Sequence, residues 1–295
     1  MDAQTILPWG SQTFIMGILN LTPDSFSGDG LLRQADPLEA ALARARQFIQ
    51  DGAHILDIGG ESTRPGAQPV SEAEELTRVV PVVRTLAEEF PGIILSVDTF
   101  KASVANAALD AGARWVNDVW GLRADPNMAA TVARHHAPVI LMHNRMAPNS
   151  AKVQQRLGGH YVGVAYTDLL AEVTAELMQS VALAHAAGIP DAHIILDPGI
   201  GFGKTVAQNL AILNHLDEII KLGFPILLGV SRKSFIGYTL DLPAGERLEG
   251  SLAANAVGIM RGASILRVHD VKETTRLAKM MDAILRSHPA QQPAQ

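Results

Sequence analysis

The chain has 295 residues, of which 47% are hydrophobic and 18% are charged, and its formal net charge is −6. This composition indicates a folded protein with a large core, and the acidic balance argues against a nucleic-acid-binding surface, which would be basic. The absence of cysteine excludes disulfides, thiolate metal ligands and a cysteine nucleophile. We see no signal-peptide pattern and no run of 18 apolar residues, so we expect no membrane partner and a cytoplasmic protein.

Short apolar runs alternate with longer segments of helical periodicity along most of the chain. Near-continuous apolar runs of four to seven residues are typical of strands that are buried on both faces of a parallel sheet. They predict eight strands, at residues 14–19, 54–58, 93–97, 115–117, 138–142, 193–196, 226–229 and 265–267. The intervening segments predict eight helices, at residues 36–51, 71–90, 101–112, 126–136, 165–187, 206–222, 246–262 and 270–287.

Eight strand–helix units in this order predict an α/β fold, namely a single-domain (β/α)8 TIM barrel with its function on the loops after the strands. A doubly wound open sheet is the alternative. We predict the barrel over residues 14–287, an N-terminal extension over 1–13 and a disordered tail over 288–295. The segment 144–164 is predicted to be a long, mobile surface loop.

Many of the predicted strands end in a polar residue, and this pattern predicts a shared rim around a ligand. The residues are Asn20, Asp57, Asp98, Asn117, His143 and Asp197. Asp98, Asn117 and Asp197 offer two carboxylates and an amide, which suit a flat heterocycle with several N–H donors and a carbonyl. An isolated Asp after a strand is more often a turn former, but three on separate strands favour a ligand site.

Several cationic residues fall on the same predicted rim although the protein is acidic. Arg64 lies in a glycine-rich loop, Lys233 follows the seventh predicted strand, and Arg267 and His269 lie at the end of the eighth. Phosphate sites are frequent at this position in TIM barrels, so the group predicts an anion site, with ordinary surface charge as the alternative. Asn20 could supply one oxygen to Mg²⁺, which takes other ligands from water and substrate phosphates.

The segment 198–205 nearly matches the phosphate-binding loop of nucleotide triphosphatases, since it ends in Gly203, Lys204 and Thr205. Pro198 occupies the position of the first glycine and has no N–H to donate. We therefore do not expect a nucleotide triphosphatase.

Seven motifs together resemble the dihydropteroate synthase family, in the order of that family and over about residues 14–285. They are residues 20–27 (NLTPDSFS), 59–66 (GGESTRPG), 98–99 (DT), 117–118 (ND), 197–204 (DPGIGFGK), 231–234 (SRKS) and 267–269 (RVH). The resemblance implies a transferase of folate biosynthesis. Its reaction joins 6-hydroxymethyl-7,8-dihydropterin diphosphate to 4-aminobenzoate and gives 7,8-dihydropteroate and diphosphate. The resemblance also implies a (β/α)8 barrel, Mg²⁺ as cofactor, a homodimer and a pocket that sulfonamides can occupy.

The resemblance carries roles onto matching residues of this chain. The pterin would be held by Asp98, Asn117, Met142, Asp197, Phe202, Gly229 and Lys233, with His143 also lining the pocket. The diphosphate would be bound by Asn20, Arg64, Arg267 and His269, and Asn20 would also contact Mg²⁺. The 4-aminobenzoate pocket would comprise Phe26, Thr63, Arg64, Pro65, Lys233 and Ser234. The residues expected to carry catalysis are Asp98, Asp197, Lys233, Arg267 and His269.

Two other functions remain open from the sequence. A methyltetrahydrofolate-dependent methyltransferase would share the barrel and the pterin-reading Asp and Asn residues, but it would not need the Asn20 and Arg64 loops or the Lys233 and Arg267 anion site. A catalytically inactive pterin-binding paralogue would keep the fold without turnover.

Overall fold

The computed structural model of the chain describes residues 6–22, 37–62, 69–145, 151–154, 157–161 and 164–287. The strands are β1 (Phe14–Asn20), β2 (Ile55–Gly59), β3 (Ile94–Asp98), β4 (Trp115–Asp118), β5 (Val139–Met142), β6 (Ala151–Gln154), β7 (Gly158–Tyr161), β8 (Ile194–Asp197), β9 (Leu227–Leu228) and β10 (Ile265–Val268). The helices are α1 (Pro37–Gln50), α2 (Glu72–Glu89), α3 (Ala102–Asp110), α4 (Met128–Arg134), α5 (Leu169–Ala186), α6 (Val206–Asn214), α7 (Leu216–Ile220), α8 (Ser234–Leu240), α9 (Leu248–Met260) and α10 (Val271–Arg286).

Eight parallel strands form one sheet in the order β8-β5-β4-β3-β2-β1-β10-β9. The two ends of this order meet, because Leu196 of β8 forms a parallel bridge with Ile226, directly before β9. The N–H of Leu196 also donates to the carbonyl of Pro225 at 2.9 Å. The predicted (β/α)8 barrel is therefore confirmed, and the doubly wound open sheet is excluded because such a sheet has two separate edges.

Side chains inside the barrel form an apolar layer near the N-terminal ends of the strands, which we call the lower lumen. Its residues are Phe14, Met16, Ile55, Ile94, Trp115, Ile140, Ile195, Leu227 and Ile265. A larger core lies between the barrel wall and the helices and includes Ile15, Leu56 and Val116. Since successive strand residues point to opposite faces, each strand contributes to both cores.

The described part of the predicted N-terminal extension closes the bottom of the lower lumen. Leu7 and Trp9 pack against its apolar layer. The Trp9 ring meets Phe14 edge-on with centroids 5.8 Å apart, and it lies 6.3 Å from the Trp115 ring. Residues 6–13 thus belong to the packing of the barrel, and this burial of aromatic surface seals the end of the barrel opposite the rim.

The structure departs from the predicted helices near the end of the chain. The predicted helix 206–222 is divided into α6 and α7 at His215, whose backbone is not helical. The short helix α8 was not predicted, because its seven residues are too few to show helical periodicity. Within α8, Gly237 gives room to the guanidinium of Arg247, since a Cβ there would lie 2.1 Å from Nη2.

The predicted long loop at 144–164 contains secondary structure. Strands β6 and β7 pair as an antiparallel hairpin. The carbonyl of Leu157, in the turn between them, accepts a hydrogen bond from Arg247 Nη2 at 2.9 Å. The sequence concealed these strands because each has only four residues, too few for the alternation of Ala151 and Val153 to stand out, and because β7 contains two glycines. None of the described helices is long and apolar enough to cross a membrane.

Candidate active site

A layer of polar side chains lies above the lower lumen, at the C-terminal ends of the strands. Strand alternation places it there, because residues two or four positions after an apolar lumen residue face the lumen too. The polar layer consists of Asp57, Asp98, Asn117, Asp197 and Arg267, and all five are buried or nearly so. The sequence therefore located the rim correctly for the four of these residues to which it gave roles.

Arg267 of β10 bridges the carboxylates of two strands across the lumen. Its Nε donates to Asp57 Oδ2 at 2.6 Å, and its Nη2 donates to Asp98 Oδ2 at 2.6 Å. Asn117 Nδ2 donates to the same Asp57 oxygen at 2.9 Å. These charge-assisted hydrogen bonds fix the orientation of Arg267 and leave its remaining N–H groups for a further acceptor.

Asp57 is the residue of this layer to which the sequence assigned no role. Its side chain is 0% exposed, and its Oδ1 has no hydrogen-bond partner among the described residues. Asp57 follows the lumen residue Ile55 by two positions, so both side chains point to the same face of β2. The sequence could not show that this face is the inward one, and the role of Asp57 was therefore missed. Asp57 orients Arg267 and Asn117, which are both predicted to contact ligand.

Burial and charge act against each other in this layer. Burial raises the pKa of Asp98 to about 7, with the Arg267 guanidinium as the main opposing influence. Burial alone would lower the pKa of Arg267, but the neighbouring Asp57 and Asp98 outweigh it and raise that pKa above its usual value. Arg267 is therefore cationic throughout the physiological range, and it is the group that favours the ionised form of Asp98.

Asp197 and Lys233 meet across the segment 199–203, which we call the glycine loop. Asp197 Oδ1 accepts the N–H of Gly199 at 2.7 Å. Lys233 Nζ donates to the carbonyl of Ile200 and lies 4.7 Å from the centroid of the Phe202 ring. Burial raises the pKa of Asp197, and Lys233 is the largest opposing charge. The structure thus brings together three residues that the sequence assigned to one pocket.

The remaining predicted residues that the structure describes surround this core. His269 Nδ1 lies 3.0 Å from Ser231 Oγ, which links the ends of β9 and β10. Gly229 lies next to Lys233, since a Cβ built on it would be 3.7 Å from Lys233 Nζ. Met142 is buried at the end of β5, Asn20 is half-buried at the end of β1, and Ser234 begins α8.

His143 does not lie where the sequence suggested, and it contacts the lysine of the segment that nearly matches a phosphate-binding loop. The side chain of His143 is 0% exposed and turns towards Glu176 and Lys204, so it does not line the lumen as predicted. Lys204 Nζ donates to the carbonyls of Gly199 and Phe202 at 2.9 and 3.1 Å. A lysine turned into its own loop is not available to bind a nucleotide phosphate, which agrees with the expectation that no triphosphatase is present.

The loop residues predicted for the 4-aminobenzoate pocket, Phe26, Thr63, Arg64 and Pro65, lie outside the described residues. Arg232, the neighbour of Lys233 in the motif at 231–234, is paired with Asp270, to which its Nε donates at 2.9 Å. Within the described ranges, no group of three or more His, Cys, Asp or Glu side chains is arranged to hold a metal ion.

Comparison with known proteins agrees with this geometry. The family model described as pterin binding enzyme matches residues 16–269. The chain is 51% identical to the dihydropteroate synthase of Bacillus subtilis, over 95% of this chain and 91% of that protein. It is 41% identical to that of Escherichia coli K12, over 93% of each.

Solved structures give the same result. The chain resembles a Clostridium difficile dihydropteroate synthase determined in the presence of pteroic acid, with a TM-score of 0.86, 43% identity, and coverage of 96% of this chain and 100% of that one. It also resembles the Xanthomonas albilineans enzyme with 4-aminobenzoic acid, with a TM-score of 0.83, 41% identity, and coverage of 94% and 95%. The chain therefore belongs to the dihydropteroate synthase family of pterin-binding enzymes.

Proposed function

We propose that the protein condenses 6-hydroxymethyl-7,8-dihydropterin diphosphate with 4-aminobenzoate to give 7,8-dihydropteroate and diphosphate, as a transferase of folate biosynthesis. The observation that carries the proposal is the polar layer. In this member of the family, it places buried carboxylates and the oriented guanidinium of Arg267 together inside the barrel. The related structures with pteroic acid and with 4-aminobenzoic acid support both substrates.

The pterin is the substrate for which Asp98, Asn117 and Asp197 are suited. Ionised carboxylates accept the N–H donors of its guanidine-like edge, and the amide of Asn117 serves a donor and an acceptor. Lys233 and Phe202 lie at the same end of the site, where the ammonium meets the ring face. Met142 and Gly229 supply the apolar and open surface that a flat ring needs.

The diphosphate is placed at the cationic side, where Arg267 and His269 neutralise the charge that develops on it. The carbon–oxygen bond breaks and its electron pair leaves with the diphosphate, so a pterin-stabilised cation remains at the exocyclic carbon. The buried carboxylates of Asp98 and Asp197 favour that cation electrostatically. The fixed orientation of Arg267 means that little reorganisation is needed as the charge moves.

The arylamine then attacks the exocyclic carbon. Its nitrogen forms the new bond and releases one proton, and it needs no strong base beforehand because an aniline is neutral near pH 7. Catalysis therefore depends on positioning more than on a covalent enzyme intermediate. We place 4-aminobenzoate next to Lys233 and Ser234, and the resemblance adds Phe26, Thr63, Arg64 and Pro65 to its pocket.

The residues present fit a weakly held Mg²⁺. Asn20 offers one amide oxygen at the end of β1, and Mg²⁺ commonly takes only one or two protein oxygens and keeps water and phosphate ligands. The ion would supply charge neutralisation to the diphosphate, together with Arg64, Arg267 and His269. A homodimer and a cytoplasmic location are further proposals that rest on the family resemblance.

The direct test is to mix the purified protein with the dihydropterin diphosphate, 4-aminobenzoate and Mg²⁺ and to measure dihydropteroate and diphosphate. Product that requires both substrates and falls on chelation with EDTA is the expected result. A folded protein that binds the pterin but forms no product would favour the inactive paralogue. Methyl transfer from methyltetrahydrofolate to a corrinoid partner would instead favour the methyltransferase.

A further inference from the structure

A buried lysine lies next to the proposed pterin site and has no part in the mechanism above. Lys204 is 2% exposed and is among the largest fully enclosed side chains of the described residues. Burying an ammonium costs free energy unless its N–H groups find hydrogen-bond acceptors, so the partners of Lys204 should show why it is buried. In the near match to a phosphate-binding loop at 198–205, Lys204 stands at the lysine position, but it donates to carbonyls of its own loop.

The ammonium of Lys204 has an acceptor for each of its three N–H groups. They are the carbonyls of Gly199 and Phe202, at 2.9 and 3.1 Å, and Nδ1 of His143, at 2.9 Å. Since an ammonium only donates, Nδ1 of His143 accepts and Nε2 carries the ring proton. That Nε2–H points to Glu176 Oε2 at 3.0 Å, so the ring sits between Lys204 and helix α5.

The same arrangement continues on α5. Arg145 Nε donates to Glu176 Oε1 at 2.7 Å, and its guanidinium lies 4.3 Å from the centroid of the Tyr166 ring. We call Lys204, His143, Glu176 and Arg145 the Lys204 network. It connects the glycine loop after β8 to the end of β5 and to a helix of the outer wall.

The glycine loop is held between the Lys204 network and the proposed pterin residues. Gly199 has a φ of +66°, and a Cβ there would lie 1.8 Å from the carbonyl oxygen of His143, so the loop packs directly on β5. The opposite side of the loop carries the Gly199 N–H bound to Asp197 and the Ile200 carbonyl bound to Lys233. A Cβ on Gly201 would lie 3.0 Å from Lys233 Cδ.

We infer that Lys204 is a positioning residue for pterin binding, which holds the glycine loop in the conformation that fixes Asp197 and Lys233. This inference rests on the proposed function and adds to it a residue that does not touch the substrate. Burial lowers the pKa of Lys204 to about 7, and Asp197 is the largest opposing charge. Both residues hold the loop at Gly199, Lys204 through its carbonyl and Asp197 through its N–H.

The primary test is Lys204→Met, which keeps the length of the side chain and removes its three donors. The dissociation constant of the dihydropterin diphosphate, measured by calorimetry without 4-aminobenzoate, should rise about 30-fold, the equivalent of one or two charged hydrogen bonds. Val181→Ala is the matched control, because Val181 is a buried apolar residue of α5 outside the Lys204 network, and its truncation creates a cavity that lowers stability. Its pterin affinity should stay within about threefold of wild type.

Chemical rescue separates a role of the ammonium from a role of side-chain volume. The chain contains no cysteine, so Lys204→Cys provides one thiol that can be alkylated in denaturant before refolding. Aminoethylation rebuilds a lysine-like ammonium and should restore pterin affinity to within about threefold, whereas ethylation should not. Equal affinity of the two alkylated proteins, or an unchanged affinity of Lys204→Met, would overturn the inference.

A second variant serves if Lys204→Met does not fold. Lys204→Gln keeps an amide donor for the loop carbonyls and should weaken pterin binding about tenfold, and an unchanged dissociation constant would again overturn the inference. Failure of the proposed function has a different signature, because the wild-type protein would then form no dihydropteroate. The dissociation constant of the dihydropterin diphosphate does not depend on turnover, so it tests the role of Lys204 even if the protein forms no product.

Discussion

The lower lumen and the polar layer are built by the same strands, yet their inward side chains are chemically opposite. On β4, Trp115 faces the lower lumen, and Asn117, two residues later, lies in the polar layer. On β10, Ile265 and Arg267 stand in the same relation. Along both strands, the inward side chains change from apolar to polar within two residues. This change divides the barrel into a part that stabilises the fold and a part that is proposed to bind ligand.

The difference also shows in how the two layers are paired. The lower lumen is held by contacts between aliphatic and aromatic side chains. Such contacts are not directional and do not depend on protonation. The polar layer is held by directional hydrogen bonds between Arg267, Asp57 and Asp98. If one partner is removed, the other is left as an unpaired charge in the protein interior, which destabilises the fold. Substitutions in the two layers should therefore have separable effects on stability and on activity.

The largest effect is expected at the upper end of the lumen. Asp197→Ala and Lys233→Ala should each lower kcat/KM by about 10³-fold or more, since each removes a charged group that is proposed to contact the pterin. Their far-ultraviolet circular dichroism should match that of wild type. Near-wild-type rates in either variant would contradict the assignment of the pterin pocket.

At the lower end, Trp115→Ala should act on stability instead. Trp115 is 0% exposed, and its truncation should cost about 4 kcal/mol in the free energy of unfolding. Urea unfolding measures that loss, and Trp115→Phe, which keeps an aromatic ring, should cost less. The folded fraction of both variants should retain the KM of wild type for each substrate. A large change in KM would break the distinction between the two layers.

Arg267→Lys tests the geometry of the polar layer at constant charge. One ammonium cannot reproduce the fork in which Nε reaches Asp57 while Nη2 reaches Asp98. We expect the KM for the dihydropterin diphosphate to rise about 30-fold, or about 2 kcal/mol, with little change in the melting temperature. Steady-state kinetics at saturating 4-aminobenzoate provides the measurement. An unaffected KM would mean that charge alone suffices.

His143 should make the stability of the protein depend on pH. Burial, followed by the charge of Lys204, lowers its pKa to about 2, from an ordinary value of 6.5 in the unfolded chain. Between pH 2 and pH 6.5 the unfolded chain binds a proton at His143 that the folded protein does not bind. The free energy of unfolding is therefore highest above pH 6.5 and decreases as the pH falls below that value. At pH 5 the loss should be about 2 kcal/mol.

His143→Gln should remove that part of the pH dependence, while an amide donor to Glu176 is retained. Chemical unfolding of both proteins at pH 7 and pH 5 provides the comparison. Equal loss of stability in wild type and variant would show that His143 is not the titrating group. Glu176 and Lys204 contact the ring, and the charges of Arg123 and Arg145 also act on it, so the difference between the two proteins is more informative than either curve alone.

The positions of the barrel strands and of most rim residues followed from the sequence. A buried parallel strand is a local pattern, so the runs before Asp98, Asn117 and Asp197 were visible without the fold. The antiparallel hairpin of β6 and β7 and the helix α8 were missed. Both consist of short elements. Arg247 joins the two regions, because it donates to the carbonyl of Leu157 in the hairpin, 90 residues away in the chain, and to that of Arg232 just before α8.

By itself, the sequence determined the eight strand–helix units and the family motifs, and hence which end of the barrel carries the chemistry. Only the tertiary structure decided the partners. Arg267 meets Asp57 across 210 residues of chain, and Lys204 turns inward to His143 instead of outward to a phosphate. The physical reason is that apolar periodicity is a local property, whereas the pairing of buried charges depends on where barrel closure places distant strands.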